Sequence, residues 1–411
     1  MTNKLFQQRQ RIKDDKINMK TLTTICILLF SFLNGYSQIK KDTIPVNISG
    51  RVDTTYNSDV KEIYHLFKNY LESRPDSNYN NPYWNEREKV ERKGTNASIF
   101  YKAFNSLQTT PKILFKDNWK PFILTIEKKN ENKYILRIAF IRDTITSDKI
   151  LTIVNVNAIK ENNHWVLENT LNDIVNSWNT KWYKNIKYVY PKTHVFNDTL
   201  AQKSVRFCDS VVTLLQIKKV DTLNFYICDN PDELGLLHGF EYYYLNYTTG
   251  ITDMYLHQIF SSKSNEYYPH EFVHGLLNGT TNDSSCYIID EGFACFFGEL
   301  NTTKYKNAIL NLAKDYVANK PTYTLDNLLN RTAQFNGYQI AYPTGSIILE
   351  IVYEKKSYAG LRALLESNTF KPENIYKAIY TITKLDKVQF EKEFRKKLIQ
   401  HQNKYDELNK K

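Results

Sequence analysis

Long apolar runs are nearly missing from this chain. Apart from one stretch near the N-terminus, none approaches the about 18 residues that a membrane span requires, so the chain beyond that stretch is expected to be soluble. No run of Lys and Arg is long enough to form a nucleic-acid patch, and no zinc-finger or other DNA-reading spacing occurs, so no nucleic-acid partner is expected. The formal net charge is nonetheless +11. Residues 1–37 hold six Lys/Arg against two Asp/Glu, which leaves about +7 for the rest, spread as a basic solvated surface. Internal repeats and low-complexity tracts are also absent, which excludes a solenoid. Cysteine is rare, at 5 residues. In an exported protein Cys208, Cys228, Cys286 and Cys295 can form two disulfides, and proximity favours Cys208–Cys228 and Cys286–Cys295; the alternative is four buried thiols.

What is present is apolar material for real cores. A hydrophobic content of 42% and an aromatic content of 14% over 411 residues fit two domains. From Met19 the chain reads MKTLTTICILLFSFLNGYSQ. Lys20 precedes a mostly apolar run, Thr21 to Leu33, and Gly35 and Ser37 stand at the −3 and −1 positions before Gln38. This is the form of a secretory signal peptide. Residues 1–37 are expected to be the leader, with Met19 as the natural start, and the protein to be secreted or periplasmic with no stable membrane span after cleavage. A retained anchor is the alternative, although the run is short for one. Cys26 lies inside the run, a poor place for lipid attachment.

Val60, Ile63, Tyr64, Phe67 and Leu71 recur at helical spacing over 58–72, and 86–107 reads as a second helix interrupted at Gly94. SRPDSNYNNP (73–82) is a loop by composition. The period then changes. FILTIEKK, KYILRIAFI, ILTIVNVNAI and HWVLENTL alternate apolar and polar residues between turn-like segments, which predicts an antiparallel meander. The fold class is therefore α+β. Residues 38–195 form a helix-plus-meander accessory domain, similar in outline to the NTF2-like cone, and 196–411 a mainly helical domain with a small sheet. In that second half 200–216 reads as a helix and 223–228 and 254–260 as strands. Helices follow through the HEFVH segment, from Asp290, and over 304–318, 323–334, 338–355, 358–367, 373–383 and 387–408.

The chemistry concentrates in YYPHEFVHGLLNG, Tyr267 to Gly279, which carries His270, Glu271 and His274 as H-E-x-x-H. On a helix, residues i and i+4 share a face, so two imidazoles can hold one zinc ion from one side. Glu271 follows the first ligand and can act as general base toward water activated by the ion. Pro269 suits a first helical turn, Ser264 or Asn265 a cap, and Asn278-Gly279 a stop. Chance places this motif in roughly one such chain in a hundred, so a third ligand is the deciding feature. The continuation H-x-x-G-x-x-H fails, because Leu277 and Thr280 stand where Gly and His are needed. A Glu on a second helix is available instead: IIDEGFACFFGEL places Glu291 17 positions after His274, followed by Gly292, with turn chemistry between.

HEFVH followed by DEGFA resembles the gluzincin pattern of the MA clan of zinc metallopeptidases, in particular the peptidase MA-like domains. The resemblance covers about 200–400. It implies Zn²⁺ as cofactor, His270, His274 and Glu291 as its ligands, and Glu271 as general base. It also implies a tyrosine that hydrogen-bonds the oxyanion from a later helix, which GYQIAYPTGSIILEIVYEKKSYAGLRALLES (337–367) supplies as Tyr342, with Tyr338 as runner-up. Relatives carry an acidic residue one turn after the zinc glutamate to orient a ligand histidine. Here Cys295 stands there, leaving Asp290, Glu299 or a carbonyl for that task and a thiolate ligand conceivable. The aminopeptidase signature G-x-M-E-N is absent, which favours endopeptidase action. His238 and His257 precede the motif and are read as ordinary surface or core histidines.

The expected protein is an exported zinc metallopeptidase acting on a peptide or protein substrate, with an extended peptide added to the edge of a sheet along 254–260. The rival readings are a non-catalytic exported binding protein with a structural or vestigial zinc site, and a zinc hydrolase of a non-peptide amide or ester.

Overall fold

The computed structural model describes residues 44–73, 80–91, 119–142, 149–218, 221–243, 249–253, 256–277, 286–299, 302–318, 323–330 and 340–408. The leader and Tyr338 lie outside them. In chain order the elements are β1 (Asn47–Ile48), α1 (Ser58–Glu72), α2 (Glu86–Glu91), β2 (Lys120–Asn130), β3 (Lys133–Ile141), β4 (Ile150–Glu161), β5 (His164–Glu168), α3 (Leu171–Val175), β6 (Asn179–Tyr183), β7 (Ile186–Tyr190), α4 (Asp198–Leu215) and β8 (Leu223–Ile227). They continue with α5 (Pro231–Leu237), β9 (Phe240–Tyr243), β10 (Gly250–Asp253), β11 (Gln258–Ser261), α6 (Pro269–Leu277), α7 (Tyr287–Gly298), α8 (Thr303–Ala318), α9 (Leu325–Leu329), α10 (Ala341–Leu365), α11 (Pro372–Thr383) and α12 (Lys387–Leu408). Helix and sheet are mixed, as α+β requires.

The meander forms where alternation predicts it. β2, β3, β4 and β5 pair antiparallel in sequence order, with β1 parallel to β2 and β9 on β4. Ile138 and Val154 lie opposite each other in adjacent strands and both are fully buried. Ile63 and Phe67 of α1 share their core. Asn57 caps α1, its side chain accepting from the Val60 N–H. Of the expected helix over 86–107, the described part is α2.

The second sheet runs β10-β11-β8-β7-β6. β8 is central and parallel to both β7 and β11, and the outer pairs are antiparallel. Two expectations change here. Residues 179–190, counted with the first half by sequence, hydrogen-bond into this sheet, while β9 from the second half joins the first. The strand expected at 254–260 is β11, shifted to 258–261 and flanked on both sides, so the outer strand beside the helices is β10. Residues 254–255 are not among those described.

α6 packs beneath this sheet. Phe272 and Val273 are fully buried, and Phe272 stacks on Phe225 of β8 at 4.9 Å between ring centroids. Full burial of such side chains stabilises by about 1.5–3 kcal/mol each. α6 opens on Pro269 directly after Tyr268, whose carbonyl accepts from the Phe272 N–H at 3.1 Å. Ser264 and Asn265 therefore lie too far upstream to cap it. Instead Glu266, fully buried, anchors the approach to α6: its carboxylate accepts from the Asn197 N–H and meets His194 Nε2, both at 2.8 Å. The helices expected over 338–355 and 358–367 are joined in α10, broken where Ser357 takes φ 53 and ψ −155.

Among the described residues neither favoured disulfide forms. Cys208 belongs to the large core under the second sheet and Cys228 to a smaller cluster. Cys286 and Cys295 lie at the start and middle of one helix, where nine residues span about 13 Å, twice the reach of a disulfide. Burial pushes the Cys208 thiol up to about 12. Among the described residues no helix is long and apolar enough to cross a membrane.

α7 and α10 cross at a glycine pair. A Cβ on Gly345 would stand 1.9 Å from the Ile288 carbonyl oxygen and 2.7 Å from Gly292 Cα. Backbone blocks it, so side-chain adjustment brings no relief. Gly345→Ala is expected to destabilise the protein by about 3 kcal/mol in denaturant unfolding; a loss under about 0.5 kcal/mol would contradict this crossing.

Candidate metal centre

One turn of α6 presents His270 and His274, and Glu291 of α7 faces them. His270 Nε2 lies 3.3 Å from His274 Nε2 and 3.2 Å from Glu291 Oε2, and His274 Nε2 lies 3.5 Å from the same oxygen. The three atoms form a nearly equilateral triangle. Zinc with bonds of about 2.0–2.1 Å and tetrahedral angles separates its ligand atoms by about 3.3 Å. Glu291 is 7% exposed, and its Oε2 is buried with no aligned hydrogen-bond donor, although both imidazoles are close. Two nitrogens and one oxygen of matching spacing, with an orphaned carboxylate oxygen among them, fit such an ion.

Without an ion the charges of the site settle among themselves. Burial opposes ionisation of both Glu291 and His274, but their mutual contact prevails. Glu291, beside both imidazoles, is held down to about 2, and His274, beside Glu291, is pushed up to about 9. The arrangement therefore holds a carboxylate and an imidazolium where a cation can replace the proton.

The surrounding groups hold this triad in place. His270 Nδ1 lies 3.4 Å from Glu299 Oε1 without an aligned hydrogen bond, and the Cys295 thiol donates to Glu299 Oε2 at 3.7 Å. Of the candidates for orienting a ligand histidine, the residue against the ring is thus Glu299, one turn beyond the position Cys295 occupies. His270, Cys295 and Glu299 form a second group whose ligand atoms lie within 4.8 Å of one another. The Tyr342 ring stacks on His270 at 5.5 Å between centroids and 26° between planes. Burial, then the Glu291 charge, raises its phenol well above the usual tyrosine range. His238 packs on Phe260 at 4.4 Å, and His257 Nε2 lies 3.3 Å from Asp221.

Glu271 lies outside the triangle, turned toward β10. The Thr252 hydroxyl donates to its Oε2 at 2.7 Å. A Cβ on Gly250 would come within 2.5 Å of both Glu271 Oε1 and Tyr268 Cε1. Sequence reasoning missed Thr252, Gly250 and Glu266, because nothing local ties a short strand to a helix about twenty residues on. No family model matches the chain, and no curated protein matches it.

Gly250→Ala is expected to cost about 1–3 kcal/mol in thermal or denaturant unfolding. Gly50→Ala, where nothing lies within 4 Å of the new Cβ, should stay within about 0.5 kcal/mol of the parent. Equal effects would contradict the close packing of β10 on Glu271.

Proposed function

We propose that this chain is an exported zinc-dependent endopeptidase of the gluzincin kind. The observation that carries the reading is the 3.2–3.5 Å triangle of His270 Nε2, His274 Nε2 and Glu291 Oε2. A zinc ion held by these residues would polarise the scissile carbonyl and render water nucleophilic near neutral pH. Glu271, adjacent to the triad but outside it, takes the proton of the attacking water and delivers it to the leaving amine as the C–N bond breaks. Tyr342, kept protonated by its buried and negative surroundings, donates to the oxyanion. An extended substrate adds to the sheet beside β10, the outer strand next to Glu271. Export follows from the leader ending at Ser37. The first sheet and α1 are read as an NTF2-like accessory domain, on the helix-then-meander order alone.

Glu271→Gln should retain the metal and lose turnover of casein by at least about 100-fold; full turnover in that variant would sink the reading. Metal uptake has a second signature. Because His274 holds its proton up to about pH 9, zinc bound at pH 7 must expel it. Affinity is then expected to rise about tenfold per pH unit from 7 to about 9 and level off above. Titration calorimetry in buffers of different ionisation enthalpy should count about one proton released at pH 7; none released would contradict the ligand role of His274.

A further inference from the structure

The Thr252 hydroxyl has two acceptors within reach on one residue. Its oxygen lies 2.7 Å from Glu271 Oε2 and 3.2 Å from the Glu271 carbonyl oxygen. A hydroxyl carries one proton and two lone pairs, so it serves one acceptor at a time and can itself accept. We propose that Thr252 is a positioning residue that holds Glu271 through both halves of its proton transfer; this rests on the reading of Glu271 as general base.

When Glu271 is a carboxylate, Thr252 donates to Oε2. Once the carboxyl has taken the proton of the water on a lone pair that faces the substrate, the Thr252 O–H keeps donating to Oε2 or turns to the Glu271 carbonyl, and the transferred proton stays directed at the leaving amine. Only the hydroxyl hydrogen rotates. The heavy atoms stay where they are and the proton count is unchanged, so the carboxyl meets the leaving amine in the orientation in which it met the water. Preorganised partners of this kind spare the reorganisation that a mobile base would need at each transfer.

The other wall of this seat has no side chain. Gly250, two residues earlier on the same face of β10, leaves the space that Glu271 Oε1 fills. Thr252 is half-buried, on a strand where a β-branched residue is at home, so Val can replace it with its shape kept and its hydroxyl removed.

The test compares Thr252→Val and Thr252→Ser in the full chain. In crystal structures of the metal-free variants, Val should release the Glu271 carboxylate from its position beside Gly250 and Ser should keep it there. An unmoved carboxylate in the Val variant overturns the proposal without any assay. In turnover of casein by the zinc-loaded chain, Val should lower kcat about 10- to 100-fold with KM unchanged, and Ser should restore most of it. Unchanged kcat in Val, beside an inactive Glu271→Gln, overturns the role of Thr252 and leaves that of Glu271 intact. Full activity in Glu271→Gln overturns the underlying reading instead.

Discussion

Glu291 carries a negative charge where water barely reaches, and the second half of the molecule is arranged to make that tolerable. A buried carboxylate without a partner is among the costliest features a core can contain. Here two imidazoles face it at 3.2 and 3.5 Å. Those imidazoles hold their positions because α6 is locked by Phe272 against the sheet and by Tyr342 and Glu299 around His270. Glu291 holds its own because α7 crosses α10 at a distance only Gly292 and Gly345 permit. Packing and charge thus support each other, and they leave the Glu291 Oε2 atom without an aligned hydrogen-bond donor.

The same geometry separates two roles that carboxylates can play. Glu291 points into the triangle, whereas Glu271, one residue along α6 from His270, turns toward β10 and the Thr252 hydroxyl. Under the proposed function a group that carries protons must not be consumed as a ligand, and the contact with Thr252 keeps the Glu271 carboxylate turned toward β10.

Much of this was legible in the sequence. Glu291 was named by the resemblance of DEGFA to the gluzincin pattern, and the i, i+4 spacing of His270 and His274 places the other two of the three converging side chains before any coordinates, because helical geometry is local and periodic. The meander was legible for the same reason, through alternation of period 2. What could not be read depends on contacts between distant segments. The transfer of 179–190 to the second sheet, the pairing of β9 with β4, and the outer position of β10 follow from strand order, which no local pattern encodes. Sequence proximity misled for the cysteines, since Cys286 and Cys295 are separated by nine residues along one helix. Glu299 was one of several candidates for orienting a histidine, and only the approach of α7 to His270 distinguishes it.

The central claim is that three side chains converge on one metal ion, and the most direct measurement is the metal content of the purified 38–411 chain by mass spectrometry, beside His270→Ala and Glu291→Ala. About one zinc per chain, lost or much weakened in both variants, is the expected result. No zinc after reconstitution, or full zinc content in both variants, would contradict the account and leave the triangle a charge-balanced feature of the core.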